Sequence, residues 1–263
     1  MMAWRSALKN HPFDVDARFD FSLVLTYALP AETLAAMVPA ALALDTFVDA
    51  AGDEHAFVAI AMVQTRGLRP SRLPALFGRD FFLVGTRIFA RLPTAEGRRL
   101  RGLYIVRSQT NRRAMRVLGD LFTRYRYEFL DTHVSRDHDV VRVHADDFAV
   151  DVDASTADVD SVPLPSTSPF TSWRDARRFA GPMPYTFSAL SDDEVLVVEG
   201  VREAWQPRPV RVLRADVPFF AQRHLPTPRL ASAFIVENVP YHWAAGRKVA
   251  VVPPTTATTT TTP

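Results

Sequence analysis

FFLVGTRIFARLPTAEGRRLRGLYIVRS, residues 81–108, is the stretch whose reading decides the fold class. Alternate positions of FFLVGTRIFARL (81–92) are apolar, and RGLYIVRS (101–108) repeats the pattern. The polar TAEGRR between them contains Gly97, so the two runs read as strand, turn and strand. Two arginines interrupt the apolar alternation. Arg87 falls on the predicted face of Phe81, Leu83 and Phe89, with Gly85 two positions before it, and Arg107 on the predicted face of Leu103 and Ile105. If those faces line an interior, each charge needs a carboxylate or an anionic ligand, because an isolated buried ion is costly. The alternative is that both arginines sit at strand ends and reach water. Gly85 is expected to leave room beside the strand for a ligand or another backbone.

The same period of two extends outward in both directions. FDFSLVLTYAL (19–29) places Phe19, Phe21, Leu23, Leu25, Tyr27 and Leu29 on one predicted face, and Pro30 suits the first turn of a short helix, AETLAAMV. HAFVAIAMVQ (55–64) is apolar on both faces, as expected of a strand covered on both sides. TRYRYEFLDTHV (123–134) and DVVRVHADDFAVDVD (139–153) read as a second hairpin, and strands are expected over 194–205, 209–217 and 232–239. TNRRAMRVLGDLF (110–122) and SWRDARRFA are the other helices, the latter ended by GPMP. About ten strands with few short helices predict a mainly β (α+β) chain, a single antiparallel barrel or sandwich. The expected organisation is an N-terminal extension over 1–17, one β domain over 18–250, and a disordered threonine-rich tail over 251–263.

Composition narrows the chemistry. The chain of 263 residues has no cysteine, which excludes disulfides, thiolate nucleophiles and cysteine-ligated metal or iron–sulfur sites. Its net charge of +2 implies no polyanion partner. Only Lys9 and Lys248 are lysines, so 29 of the 31 basic residues are arginine. GC-rich coding would supply that bias, and so would a need for planar donor forks. No signal peptide or membrane span is read, and the expected setting is the cytoplasm. His133, His138 and His144 flank a predicted hairpin, yet their spacing matches no metal-ligand pattern; no metal or cofactor is expected.

The candidate ligand-binding residues are Arg87, Arg107, Arg112, Tyr125 and Tyr127. Arg112, with Arg113 and Arg116, crowds positive charge onto the first turns of a helix, where an anion would relieve the unfavourable dipole. Tyr125, Tyr127 and Phe129 form one predicted face of TRYRYEF, with Arg124, Arg126 and Glu128 opposite; aromatics interleaved with arginine could also stack bases. Glu199 shares the predicted face of Val195, Val197 and Val201 beside Gly200. It is either the partner of a sheet arginine or a candidate proton acceptor.

A set of segments, in order, carries a resemblance: LPAETLAAMVPAALALDTF, LFGRDFFLVGTRIFARL, RRLRGLYIVRSQTNRRAMRVLGDLFTRYRY, SPFTSWRDARRFAGPMPYTF and EGVREAWQPRPV. Over about residues 18–245 the chain resembles a bacterial family of unknown function in the acetoacetate decarboxylase-like superfamily. The resemblance implies a cone-like, mainly antiparallel β-barrel around an internal cavity, and allows a homo-oligomer. The superfamily's enzymes use a cavity lysine as a neutral amine nucleophile. Here the comparable region carries Arg107, Ser108 and Gln109, so a Schiff-base decarboxylase is not expected.

The expected function is therefore small-molecule binding, with Arg87 and Arg107 holding the oxygens of an acidic or carbonyl-bearing metabolite. One alternative is a lysine-independent decarboxylase, isomerase or hydratase acting on a keto acid. A second is a structural or nucleic-acid-associated protein, although nucleic acid and membrane are not the expected partners.

Overall fold

The computed structural model describes residues 8–155, 162–181, 183–203 and 205–251. The first half holds strands β1 (Val15–Pro30), β2 (Ala43–Leu44), β3 (Phe47–Val48), β4 (Glu54–Pro70), β5 (Arg79–Pro93), β6 (Arg99–Thr110) and β7 (Tyr127–Phe129). The second holds β8 (His133–Asp137), β9 (Val140–His144), β10 (Ala149–Asp153), β11 (Tyr185–Ala189) and β12 (Glu194–Arg202). It ends with β13 (Arg208–Pro209), β14 (Arg211–Asp216), β15 (Arg229–Trp243) and β16 (Arg247–Ala250). Helices α1 (Ala31–Ala35), α2 (Arg113–Phe122), α3 (Trp173–Ala180) and α4 (Phe219–Gln222), with a 3₁₀ turn at Ala75–Phe77, lie between strands.

The large sheet runs β13-β15-β1-β4-β5-β6-β11-β12-β16, and β12 also pairs with β15. That extra pairing turns β15, β1, β4, β5, β6, β11 and β12 into a closed ring. Pairing around it is antiparallel except where β11 runs parallel to β6. A second, four-stranded sheet, β14-β10-β9-β8, packs on one face of the first. Between them lies the largest core, with Leu23, Leu25 and Leu29 of β1, Ile60 and Met62 of β4, and Val141, Val143, Val150 and Val152 of the smaller sheet. β4 is buried on both faces over Ala56–Val63, as its unbroken apolar run predicts.

Of the register shifts in the ladders, two bear on the ring interior. In the β1–β4 ladder Phe19 pairs with Thr65 and Phe21 with Gln64, so Asp20 is an extra residue. Phe21 enters the core between the sheets, while Phe19 turns to the ring interior, away from the face predicted for it. In the β5–β6 ladder Arg87 pairs with Ile105 and Thr86 with Arg107, which makes Val106 the extra residue. Each bulge places two consecutive residues opposite one and reverses the facing of everything beyond it.

TRYRYEF is the other departure. Only Tyr127–Phe129 is strand, and it adds to β6 in parallel; Arg126, at φ 50°, turns the chain just before it. The expected second hairpin is instead the meander β8–β9–β10. At the far end Val251 bridges Thr94 and is buried, and the rest of the expected tail, 252–263, lies outside the described residues, as do 1–7 of the expected extension.

An ionic clamp ties β5 to β6. Arg91 and Arg101 are cross-strand partners, a like-charge pairing that is unfavourable by itself. Asp45, between β2 and β3, has a fully buried side chain. It accepts from Arg91 Nε at 2.5 Å and Arg101 Nε at 2.6 Å. Arg101 also donates to the Phe179 carbonyl at 3.0 Å and lies 4.7 Å from that ring's centroid.

Candidate functional site

The ring encloses a cavity of about 450 Å³. Every ring strand contributes to its wall: Phe19 from β1, Ala61 from β4, Arg87 from β5, Ser108 from β6, Thr186 from β11, Arg202 from β12 and Tyr241 from β15. Helix α2 closes one side with Met115, Leu118 and Phe122, its apolar stripe at the spacing a helix requires. The lining reaches solvent at Pro12, Phe77, Arg79 and Leu118. Among the described residues that line the cavity there is no carboxylate and no lysine. Lys248 pairs with Glu194 at 2.8 Å on β12, and Lys9 is exposed.

Arg87 faces this cavity with Phe81, Leu83 and Phe89, the face its sequence position predicts. Its guanidinium folds back over Gly85, where a Cβ would lie 3.1 Å from Arg87 Nε. The space that Gly85 leaves is therefore occupied by Arg87 itself. Nε is buried without a hydrogen-bond partner, and burial lowers the guanidinium pKa from its ordinary value. The group nevertheless stays charged near neutral pH. Its electrostatic neighbours are Tyr241, Tyr127 and Tyr125, which favour its charge, and Arg202, which opposes it.

Tyr125 and Tyr127 line the same cavity, their ring centroids 6.5 Å apart. Burial pushes the Tyr127 hydroxyl up to about 12 and raises that of Tyr125 further, so both stay protonated and able to donate. The Tyr125 hydroxyl is hydrogen-bonded to Thr186. Tyr127 is held from below by α2: a Cβ at Gly119 would lie 2.2 Å from its ring, and its backbone N–H donates to Asp120 at 2.9 Å. Phe129, expected on their face, is instead exposed, with the Arg113 guanidinium 5.3 Å from its centroid.

The remaining candidates lie elsewhere. The bulge at Val106 turns Arg107 out of the ring, where its Nε donates to Glu128 at 2.7 Å and its Nη1 to Gln222 at 3.2 Å; Ser108 takes the cavity-facing place. Arg112 precedes α2, is exposed and does not line the cavity. Glu199 does not line it either. Val195 and Val197, its neighbours on that face, belong to the core with Leu92 and Phe187, so the face points away from the ring interior. Of the three histidines near the predicted hairpin, His144 pairs with Asp151 and His138 with Asp137, and no group of three or more potential metal ligands occurs among the described residues. No helix among them is long and apolar enough to cross a membrane.

Sequence reading missed Arg202, Tyr241, Trp205 and His11. Arg202 donates to the Tyr241 hydroxyl at 2.9 Å and the Met183 carbonyl at 2.8 Å, and its guanidinium lies 4.9 Å from the Trp205 centroid. Among the described cavity-lining residues, Trp205 Nε1 joins Arg87 Nε as a buried donor without a partner. Burial lowers the His11 pKa to about 4, which leaves a neutral imidazole at pH 7. The signal for Tyr241 was present in YHW (241–243), an aromatic alternation that continues β15 past Pro240. Together, the Arg87 and Arg202 guanidiniums, three phenols and an indole N–H offer donors in a mostly apolar chamber whose described lining residues include no carboxylate. Such a set can hold and polarise an anion or a carbonyl oxygen.

The family model DUF2071, described as an uncharacterized conserved protein, matches residues 16–245. No curated protein matches the chain. Among solved structures, an acetoacetate decarboxylase-like enzyme from Sphingomonas wittichii RW1 superposes with a TM-score of 0.55 at 12% identity, over 92% of this chain and 93% of that one. Acetoacetate decarboxylase from Legionella pneumophila superposes with a TM-score of 0.55 at 12% identity, over 90% of this chain and 87% of that one. At such identities the likeness is one of fold.

Proposed function

The chain belongs to the DUF2071 family and has the acetoacetate decarboxylase-like fold, and from that premise we propose that it binds a small acidic or carbonyl-bearing metabolite in the ring cavity, with Arg87 as the principal anion-holding group. One observation carries the reading: a guanidinium whose buried Nε has no hydrogen-bond partner faces a cavity whose described lining residues include no carboxylate. A charge so placed lacks the compensation that buried ions ordinarily have. A ligand carboxylate or enolate would supply it, with two oxygens matched to a guanidinium fork. Tyr125 and Tyr127 would donate from the same wall, and Arg202, already oriented by Tyr241, would add the second positive charge. Arg107 has no part in this site, since its carboxylate partner is Glu128.

Binding without a covalent imine fits the lining, which offers no amine. The enzymatic alternative, a lysine-independent reaction of a keto acid, needs a proton acceptor, and Glu199 lies outside the cavity. The nucleic-acid alternative relied on Tyr125 and Tyr127 as a stacking surface, and both rings are turned inward. The test is calorimetry and thermal shift with a panel of carboxylates and keto acids, run on the wild-type chain and on Arg87→Met. The expected result is saturable binding that weakens at least tenfold in the variant, about 1.4 kcal/mol or more. Equal binding by both proteins, or none by either, overturns the reading. A keto acid converted to product with Arg87-dependent turnover would move the function to the enzymatic class.

A further inference from the structure

Resting on the reading that Arg87 holds an anion, we infer that the ligand is an amphipathic monocarboxylate bound head-in, its carboxylate at Arg87 and an apolar tail running toward the mouth between the 3₁₀ turn and α2. Volume is the first support. At about 30 Å³ for each water-sized group, the hollow of about 450 Å³ holds on the order of 15 non-hydrogen atoms. An acid of two or three carbons would leave most of it unfilled.

The distribution of polarity along the wall is the second support. β5 runs from Arg79, exposed at the mouth, through Phe81 and Leu83 to Arg87, a separation of roughly 25 Å at strand rise. Across the sheet Ala61 and Val63 of β4 and Phe19 of β1 cover the stretch between the mouth and Arg87. Donors gather beside Arg87: its guanidinium lies over Gly85, which is paired across the sheet with Ser108, itself the partner of Tyr127, and the Tyr125 ring is 6.5 Å from that of Tyr127. The apolar tract also continues into solvent. Phe77 and Leu118 line the cavity, yet keep 51% and 38% of their surface exposed.

The two mouth arginines do not compete for the head. Arg69 is committed to the Leu73 and Gly67 carbonyls, at 3.1 and 3.2 Å. Arg79 is bathed in water, where an ion pair is worth little. Arg87 sits in the drier interior, where the same charge acts far more strongly.

Titration calorimetry with propionate, hexanoate and decanoate tests this directly, on wild type, Arg87→Met, Arg79→Ala and Leu118→Asp. Affinity is expected to rise roughly three- to fourfold per added methylene, the transfer value for a buried CH₂. Arg87→Met should weaken every acid, Leu118→Asp only the longer ones, and Arg79→Ala none by more than about twofold. Decyltrimethylammonium, with the same tail and a positive head, should not bind. Arg87-dependent binding that is independent of chain length overturns the amphipathic ligand while leaving the anion site standing. Binding that grows with length yet is lost in Arg79→Ala and unchanged in Arg87→Met reverses the orientation. Absence of binding by all three acids, with a keto acid still bound in an Arg87-dependent way, overturns the amphipathic ligand alone; absence of binding by these acids and by the keto acids overturns both readings.

Discussion

Arg91 and Arg101 stand opposite each other on β5 and β6 and share the buried carboxylate of Asp45; four residues before Arg91 on β5, Arg87 has a buried, unpartnered Nε and no carboxylate among the described residues of its chamber. The strands and the side-chain type are alike; Arg91 and Arg101 keep about a third of their side chains in solvent, while Arg87 faces the cavity, and the counter-charge differs. Where the chain supplies its own carboxylate, the arginines are part of the scaffold: they fasten β2 to β5 and β6 and help hold α3 through Phe179. Where it supplies none, the charge remains available to something from outside. A buried arginine therefore says little until the other residues of its chamber have been counted.

The strongest way to break this comparison is to remove the shared carboxylate. Asp45→Ala strands two half-buried, like-charged guanidiniums facing each other, and is expected to cost about 3–5 kcal/mol of stability. Urea unfolding followed by circular dichroism measures it; a loss below about 1 kcal/mol would mean that the clamp is no more than a surface pair.

His11 gives the next effect, because it too lies in the cavity wall and its pKa is lowered by burial with no offsetting charge. Its folded value of about 4 lies below its unfolded value of 6.5, so the fold favours the neutral ring. That contribution is fully present above pH 6.5 and is lost as pH falls from 6.5 through 4. Over that window His11→Asn should flatten the stability–pH curve by up to about 3 kcal/mol relative to wild type, less for whatever solvent still reaches the ring. Parallel curves for the two proteins would show that His11 titrates as in open solvent.

Arg87→Met sharpens the comparison by reversing its sign. Replacing an uncompensated buried charge with an apolar side chain of similar length is expected to stabilise the unliganded protein by about 1–3 kcal/mol while ligand binding is lost. Opposite signs at Asp45 and Arg87, in one unfolding assay, would separate scaffold from site. A destabilised Arg87→Met would mean that Arg87 serves the fold.

The sequence made the ring face of β5 legible because the period of two holds from Phe81 to Phe89, with Gly85 and Arg87 in step with the apolar residues. It also made α2, α3 and the doubly covered β4 legible, since helical spacing, a serine cap at Ser172 and an unbroken apolar run are local signals. Bulges are not local in that sense. Nothing in FDFSLVL or GLYIVRS marks Asp20 or Val106 as the residue without a partner, because a bulge is settled by the register of the neighbouring strand. Phe19 and Arg107 were both misplaced by that one mechanism. The ring's closure was hidden for a related reason, since β12 meets β15 through only Gly200, Val201 and Arg202. Asp45 was silent as well: an aspartate in a loop has no periodicity to read.

Arg107 provides the smallest and sharpest contrast, because in the sequence it looks like a second Arg87. The extra residue Val106 sends it to the outer face, where it meets Glu128, whose side chain is half exposed. An ion pair so placed contributes at most about 1 kcal/mol and weakens with salt. Arg107→Gln is expected to leave ligand affinity within about twofold of wild type and to lower stability by less than about 1 kcal/mol, the loss shrinking further at 1 M salt. Calorimetry on Arg107→Gln beside Arg87→Met makes the bulge itself measurable. If the two variants lose binding alike, Val106 is not the extra residue in solution, and β6 presents Arg107 to the cavity after all.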